Sequence, residues 1–398
     1  MARKPRIPGA AGQGRARPFE IAIQILAVGV AVAIVAGLGA SIYHGLERHN
    51  IPFSFAFLLQ TSGLHLTEGL TLDWSHGLAL RPFASTDSNL QALVLGLYNT
   101  IKVALTGIVL STVLGLLVGA GRVSLNWMLS RICLGFVELI RNTPLLIQLF
   151  FWYFAVVLQL PPLRAAAHWY GTIISRQGIY TPAFAVSSSW PLFWPAVLAS
   201  ILLFGGALWA FAGKRRFGRA APLAAVVAIA AAWLAVSAWK GAPLSLDVPV
   251  ASRFRASGGI PFSPEFSAIL LALVVYTSAF IAEIVRGSIE AVSGGQWMAA
   301  YALGLKRRQS MTSVILPQAF RVMVPPLVNQ YLNLAKNTSL AIAIGFPDLF
   351  NIYGTIANQT GRSMEGILIV MLAYLLINWL ISLLMNLYNR RLLARGWR

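Results

Sequence analysis

The chain has 398 residues, of which 57% are hydrophobic and only 11% are charged. A soluble domain carries about a quarter charged residues, so this composition excludes both an ordinary soluble enzyme and a disordered chain. Lysine and arginine number 31 against 12 acidic residues. On so apolar a chain, this excess indicates a membrane protein with basic loops rather than a nucleic-acid-binding protein. The single cysteine, Cys133, excludes an intrachain disulfide.

Apolar runs of about 20 residues, long enough to cross a bilayer, occur repeatedly along the chain. We predict eight spans, at 19–43, 91–120, 131–160, 190–212, 221–239, 265–289, 323–345 and 365–389. The first run is longer than the apolar part of a cleaved signal sequence, so it is interpreted as a retained anchor. The expected fold is an all-α polytopic membrane protein.

The basic residues predict the topology. With both termini in the cytoplasm, 19 of the 31 lysines and arginines fall on the cytoplasmic side, as the positive-inside rule requires. Four others, Lys102, Arg141, Arg286 and Lys336, lie inside spans. The outer segments 44–90 and 161–189 are expected to form short interfacial helices.

The cytoplasmic loop 290–321 is rich in small residues. Met298, Ala299 and Ala300 belong to a predicted short helix, with Ala299, Ala300 and Leu303 on one face. Gly304 is predicted to end this helix and Pro317 to limit a second one. Such a knob would let another protein approach closely; the alternative is a solvated loop that only links two spans.

This loop resembles the coupling loop of permease subunits of binding-protein-dependent ABC importers. The resemblance is carried by Ala299, Ala300 and Gly304, followed by Val314, Leu316 and Pro317. Met298 stands where the family has a glutamate, which implies packing rather than a charge pair with the ATPase.

Two further segments resemble polar amino-acid permeases. Residues 138–148 are similar to their E-x-x-R-x-T-P-L-L-x-Q segment, and residues 336–340 resemble their K-D-T-S-L signature, with Asn337 in place of the aspartate. The likeness covers about 90–160 and 262–390, a five-span core. Around it, the layout is similar to the long branch of general L-amino-acid permeases. The implied regions are a disordered basic tail (1–18), an extra span (19–43), a periplasmic segment (44–90), the first core part (91–160), an insertion with two spans (161–261) and the second core part (262–398).

The resemblance implies a function and an assembly. The chain would form half of the pathway of an ATP-driven importer of polar L-amino acids in a bacterial inner membrane. Its partners would be a second permease subunit, for which a different chain is favoured over a second copy, two ATP-binding subunits and a periplasmic amino-acid-binding protein. ATP and Mg would bind to the partner ATPase, and this chain would carry no cofactor.

Two acid–base pairs lie in predicted spans at i, i+3 spacing: Glu138 with Arg141, and Glu283 with Arg286. Charges at bilayer depth need partners. Each pair would either pin its helix near the interface or form a cytoplasmic gate around the pathway. Gly115 and Gly119 predict a close helix contact, for which a permease–permease interface is one place.

The span 323–345 carries a polar strip. Its members share a helical face or adjoin it: Asn329, Asn333, Lys336, Asn337 and Thr338. Lipid cannot satisfy such a face. It would either hydrogen-bond to Asn99 and Thr100 of the second span or line the pathway, with Lys336 meeting a substrate carboxylate.

The chain lacks a G-x-x-x-x-G-K-[ST] phosphate loop, so the ATPase is expected to be a separate chain. No nucleophile motif or metal-ligand spacing is present in the sequence, so no catalytic residue and no metal site are predicted. The alternative function is an ion-coupled secondary transporter of amino acids. It is disfavoured because both intramembrane acids, Glu138 and Glu283, have arginine neighbours.

Overall fold

The computed structural model describes residues 18–48, 53–66, 68–73, 79–186, 197, 200, 226–229, 231–234, 236–237, 244–252 and 256–394. Within these residues, five helices are long and apolar enough to cross a membrane: Ala22–Ser41, Asn89–Arg122, Pro264–Glu290, Arg307–Ile344 and Ser363–Leu387. The span predicted at 190–212 lies almost entirely outside the described residues, as do residues 1–17 of the tail, and the span predicted at 221–239 is described only at 226–229, 231–234 and 236–237, which are helical. The count of eight therefore stays a prediction.

The chain divides into two compact units, Met1–Leu58 and Leu59–Arg398. The first contains helix α1, Pro18–Arg48. The helices of the second unit are α2 (Asn89–Arg122), α3 (Trp127–Arg141), α4 (Leu145–Phe150), α5 (Pro264–Glu290), α6 (Gly294–Ala302), α7 (Arg307–Ser310), α8 (Leu316–Asn337), α9 (Leu349–Thr360) and α10 (Ser363–Ala394). Two π-helical turns, Phe151–Val157 and Met311–Ile315, follow α4 and α7, and a 3-10 helix, Thr338–Ile344, follows α8.

Each of the segments predicted to form short interfacial helices contains one short 3-10 helix, Ala56–Leu59 or Leu163–Ala165, but also β-strands that the prediction missed. Strands β1 (Leu70–Asp73) and β2 (Ala79–Pro82) form an antiparallel pair. A four-stranded antiparallel sheet has the order β10-β5-β4-β3, and two further pairs are β6 with β7 and β8 with β9. These strands are β3 (Ala167–Trp169), β4 (Thr172–Ser175), β5 (Gly178–Thr181), β6 (Ala183–Val186), β7 (Leu244–Asp247), β8 (Val250–Ala251), β9 (Ala256–Ser257) and β10 (Ile260–Phe262).

The strands form because turn residues interrupt every apolar run before a helix can start. Tyr170 and Gly171 adopt φ of 47° and 79°, and reverse the chain between β3 and β4. Pairing of β6 with β7 brings residues 183–186 beside 244–247. The two ends of the inserted region therefore meet, although nearly sixty residues separate them along the chain.

The predicted span 131–160 is not one straight helix. It consists of α3 and the α4 segment, Leu145–Val157, which meet at a bend of 104°. Pro144 has no N–H and disfavours helical backbone at Thr143, which explains where α3 ends. The buried Gln148 side chain stabilises the bend, because its Nε2 donates to the carbonyl oxygens of Ile140 (2.9 Å) and Thr143 (3.0 Å).

Glycines let α2 and α5 approach closely. A Cβ added at Gly115 would lie 2.6 Å from the Cβ of Ile281, and one at Gly119 would lie 2.7 Å from the Cβ of Val285. Both partners are buried. The glycine pair therefore serves a contact inside the chain, and the permease–permease interface considered for it is wrong.

This contact predicts that Gly115→Ala destabilises the protein. Overpacking costs about 1–3 kcal/mol because Ile281 or the helix backbone must move. Gly135→Ala in α3 is the matched control, since an added Cβ there meets nothing within 4 Å. We expect the control to be neutral or slightly stabilising. Thermal unfolding of the purified protein measures both, and equal midpoints for the two variants would contradict the packing.

Asp348 begins α9 and lies fully buried. Its Oδ1 accepts a hydrogen bond from the backbone N–H of Asn351 at 2.9 Å, as an N-cap does. Burial raises the pKa of the Asp348 carboxyl to about 7, although hydrogen bonds from the backbone and from Tyr374 oppose the rise. A folded-state pKa above the unfolded value means that ionisation of Asp348 opposes folding.

We expect stability to rise as the pH falls from 8 to 5, because the folded protein then binds a proton that the unfolded chain does not. In Asp348→Asn, which keeps the cap, this component should vanish, and stability at pH 8 should increase by on the order of a few kcal/mol. Asp87→Asn is the control. Hydrogen bonds from Arg81 hold the pKa of Asp87 below its usual range, so its pH dependence lies below about pH 4. If the melting temperatures of the wild type and of Asp348→Asn change with pH in the same way between pH 5 and 8, the raised pKa of Asp348 is refuted.

Candidate functional site

A cavity of about 270 Å³ lies between α5 and α8. Its lining residues are Tyr276, Thr277, Phe280, Gln330, Asn333, Leu334 and Asn337. The predicted strip therefore supplies Asn333 and Asn337 to this cavity. Gln330 was not predicted to belong to the strip, but it lies about one turn before Asn333 on the same side of α8.

The remaining strip residues divide into two groups. Asn329 and Lys336 are exposed on α8 beside the cavity. Thr338 is 1% exposed, and its hydroxyl donates to the carbonyl oxygen of Ala335 at 2.8 Å. Its predicted place in the strip is wrong, because the chain changes from α-helix to 3-10 helix there and turns the side chain inward.

The strip has no partners inside the described part of the chain. The side chains of Asn329, Gln330, Asn333, Lys336 and Asn337 form no hydrogen bond or ion pair with any described residue. Lipid cannot satisfy these groups. The strip must therefore contact water or another chain.

The predicted pairing of this strip with Asn99 and Thr100 is wrong. Asn99 Nδ2 donates to the carbonyl oxygen of Pro347 at 2.9 Å, and Thr100 Oγ1 accepts from the N–H of Leu349 at 3.1 Å. Both side chains thus hold the chain that enters α9. Gly96 makes this approach possible, since an added Cβ would lie 2.8 Å from Leu349 Cα.

A cation lies at the edge of the cavity. The Arg141 guanidinium carbon is 5.3 Å from the ring centre of Phe280, which lines the cavity. The predicted Glu138–Arg141 pair is not formed; Glu138 accepts from Asn142 Nδ2 at 3.4 Å. Arg141 is the last residue of α3, so its side chain leaves the helix just before the bend and extends toward α5.

The second acid–base pair belongs to a larger cluster. Glu283 Oε1 lies 2.5 Å from Arg286 Nη2, and Glu283 Oε2 lies 3.0 Å from Arg122 Nη1. Arg286 also pairs with Glu290. The cluster joins the end of α2 to the end of α5, next to loop 290–321. Sequence spacing missed Arg122 because its partner is 161 residues away.

Lys102, predicted only as a charge inside a span, is paired with an acid and packed on an aromatic ring. Its Nζ donates to Glu68 Oε1 at 3.0 Å and lies 4.2 Å from the ring centre of Phe266. Glu68 comes from the outer segment before β1, which no periodicity of α2 could reveal. Among the described residues, no group of three or more histidines, cysteines or acids is placed to hold a metal ion.

Loop 290–321 contains the predicted helix, α6, and the glycine turn, where Gly304 has φ of +73°. Met298 and Leu303 are 70% and 79% exposed, and Ala299 and Tyr301 are exposed as well. Ala300 is only 2% exposed. Its predicted place on the same outer face as Leu303 is wrong, because α6 packs on the following π turn, Met311–Ile315.

Pro317 does not limit the second helix. Helical backbone runs from Arg307 through the π turn into α8, and Pro317 occupies the first turn of α8. Pro317 has no backbone N–H, but the first turn of a helix does not need one. The helix therefore continues through the π turn and past Pro317. The span predicted at 323–345 is therefore extended to Arg307–Ile344.

Comparison with known proteins identifies the family. Residues 177–395 match the model of the binding-protein-dependent transport system inner membrane component. The chain is 42% identical, over 93% of each chain, to the putative amino-acid ABC transporter permease protein YhdX of Escherichia coli K12. It is 38% identical to the general L-amino acid transport system permease protein AapQ of Rhizobium johnstonii, over 94% of this chain and 92% of the relative. The chain therefore belongs to the family of inner membrane components of binding-protein-dependent transport systems.

Proposed function

We propose that the chain is a permease subunit of an ATP-driven importer of polar L-amino acids, and that the α8 strip with its cavity forms its share of the pathway. The observation that carries the proposal is the set of unpartnered amides and one ammonium on a membrane helix, beside a cavity. The names of YhdX and AapQ support amino acids as the substrate class.

The chemistry of the cavity suits a free amino acid. Every such substrate carries a carboxylate, and Arg141 and Lys336 are the cations beside the cavity and its strip. The amides of Gln330, Asn333 and Asn337 supply both donors and acceptors. A volume of about 270 Å³ is at the lower end of ligand pockets, which suits one small molecule.

The proposed assembly is supported by the family of the chain, by the absence of a phosphate loop from its sequence and by its exposed loop. It contains a second, different permease subunit, two ATP-binding subunits that hold ATP and Mg, and a periplasmic amino-acid-binding protein. The assembly lies in the bacterial inner membrane with both termini of this chain in the cytoplasm. An ion-coupled carrier gains no support, because Glu283 is held by two arginines.

Coupling to the ATPase is proposed to use the exposed apolar side chains on and directly after α6, namely Met298, Tyr301 and Leu303. Closure of the ATPase pair would push α6. Since α6 packs on the π turn that leads into α8, the push would reach the polar strip. A methionine at position 298 makes this contact one of packing rather than charge.

Substrate recognition predicts the effect of Lys336→Ala. Uptake of acidic, neutral and basic amino acids should all fall, by about tenfold or more, because all three share the carboxylate. Lys336→Arg keeps the charge and should retain more uptake than Lys336→Ala. Transport into vesicles measures uptake, and co-purification with basal ATPase activity measures assembly. Wild-type uptake by Lys336→Ala, or loss of assembly, would exclude the substrate role.

Coupling predicts that Leu303→Asp weakens association with the ATP-binding subunits by about tenfold or more, since it places a charge in an apolar contact. Met298→Ala should cost less, because a flexible side chain is shortened without a new charge. Ser313→Asp is the matched control, an exposed position on the following π turn. Pull-down and substrate-stimulated ATPase activity are the measurements. Normal stimulation in Leu303→Asp would reject this contact face.

A further inference from the structure

A second, larger cavity lies at one end of the membrane helices, the end from which loop 290–321 extends. Its volume is about 640 Å³, and it is formed by the end of α2, the end of α5 and the start of the helix that runs from Arg307 into α8. It shares no lining residue with the cavity between α5 and α8. We call it the terminal groove.

The wall of the terminal groove is apolar. Val285, Ile289 and Met323 are buried in it, while Leu125 and Phe320 remain exposed at its sides. Contact between water and an open apolar wall costs free energy, so an apolar occupant of the groove is favoured.

The charged residues that line the groove are Arg307 and Arg308. In the part of the chain that the structure describes, neither guanidinium has an acidic partner. This differs from Arg122 and Arg286 nearby, which Glu283 neutralises. The groove therefore offers an apolar wall beside two free cations.

We propose that the terminal groove binds an anionic phospholipid, with an acyl chain along Leu116, Leu125 and Phe320 and the phosphate against Arg307 and Arg308. The groove lies where the spanning helices α2 and α5 end, so the proposal places it near the lipid headgroups. Basic pockets between membrane helices at this level bind anionic headgroups. A free phosphate would leave the apolar wall in contact with water, and a zwitterionic lipid would bring its own cationic group next to the two arginines. This site is independent of which substrate the importer carries.

The test uses the purified importer complex, stripped of lipid in detergent and titrated with phosphatidylglycerol or phosphatidylcholine under native mass spectrometry. We expect saturable phosphatidylglycerol binding that exceeds phosphatidylcholine binding. Equal binding of the two lipids would overturn the proposal. Displacement of phosphatidylglycerol by millimolar inorganic phosphate would identify a free-phosphate site and would also overturn it.

Two pairs of variants locate the lipid. Arg307→Gln with Arg308→Gln should weaken phosphatidylglycerol binding about 25-fold, since each basic residue near an anionic headgroup contributes on the order of a factor of five. Arg131→Gln with Arg321→Gln removes the same charge from exposed positions outside the groove and should bind as wild type. Loss of binding in both double variants alike would reject the site.

The apolar half has its own test. Ala120→Trp should fill the groove and abolish tight binding, whereas Leu117→Trp, an exposed position on the same helix outside the groove, should not. A photo-crosslinking side chain at position 120 should capture phosphatidylglycerol. Its capture of another subunit of the complex, or unchanged lipid binding in Ala120→Trp, would reject the proposal.

Discussion

A bilayer core offers no hydrogen bonds, so each polar side chain on a membrane helix must find a partner in the protein or in water. This constraint separates the polar and charged groups that have partners inside the chain from those that do not. Lys102 finds Glu68, and Glu283 finds Arg122 and Arg286. The first pair holds α2 to the segment before β1, and the second group joins the ends of α2 and α5. The strip on α8 finds nothing in the described chain, and that is why it is the candidate pathway.

The close contact of α2 with α5 determines where the cavities are. Glycines at 115 and 119 bring the two helices together, and the charge cluster around Glu283 joins their ends. The outer end is held separately, where Asn99 and Thr100 bond to the backbone of 347–349. With α2 and α5 packed in this way, the polar face of α8 borders α5 on one side and remains open on the other.

Departures from regular helix place the candidate functional groups. The bend at Pro144 ends α3 at Arg141 and directs its side chain toward Phe280. The π turn at Met311–Ile315 supports α6 and leads into α8 without a break at Pro317. The same stretch, from Arg307 onward, forms one side of the terminal groove. Loop, strip and groove are thus features of one continuous helical segment.

Local pattern in the sequence predicted the five long apolar helices of the described residues, the glycine turn of the loop and the polar face of α8, because helical periodicity and glycine conformation depend on near neighbours. Local pattern could not predict the contacts between residues that are far apart in the sequence. Arg122 with Glu283, Lys102 with Glu68 and Asn99 with Pro347 join residues 161, 34 and 248 positions apart. The burial of Ala300 and the inward turn of Thr338 likewise depended on what packs against them. Only the tertiary structure decided which polar groups are satisfied inside the chain, and so which ones remain available to a substrate.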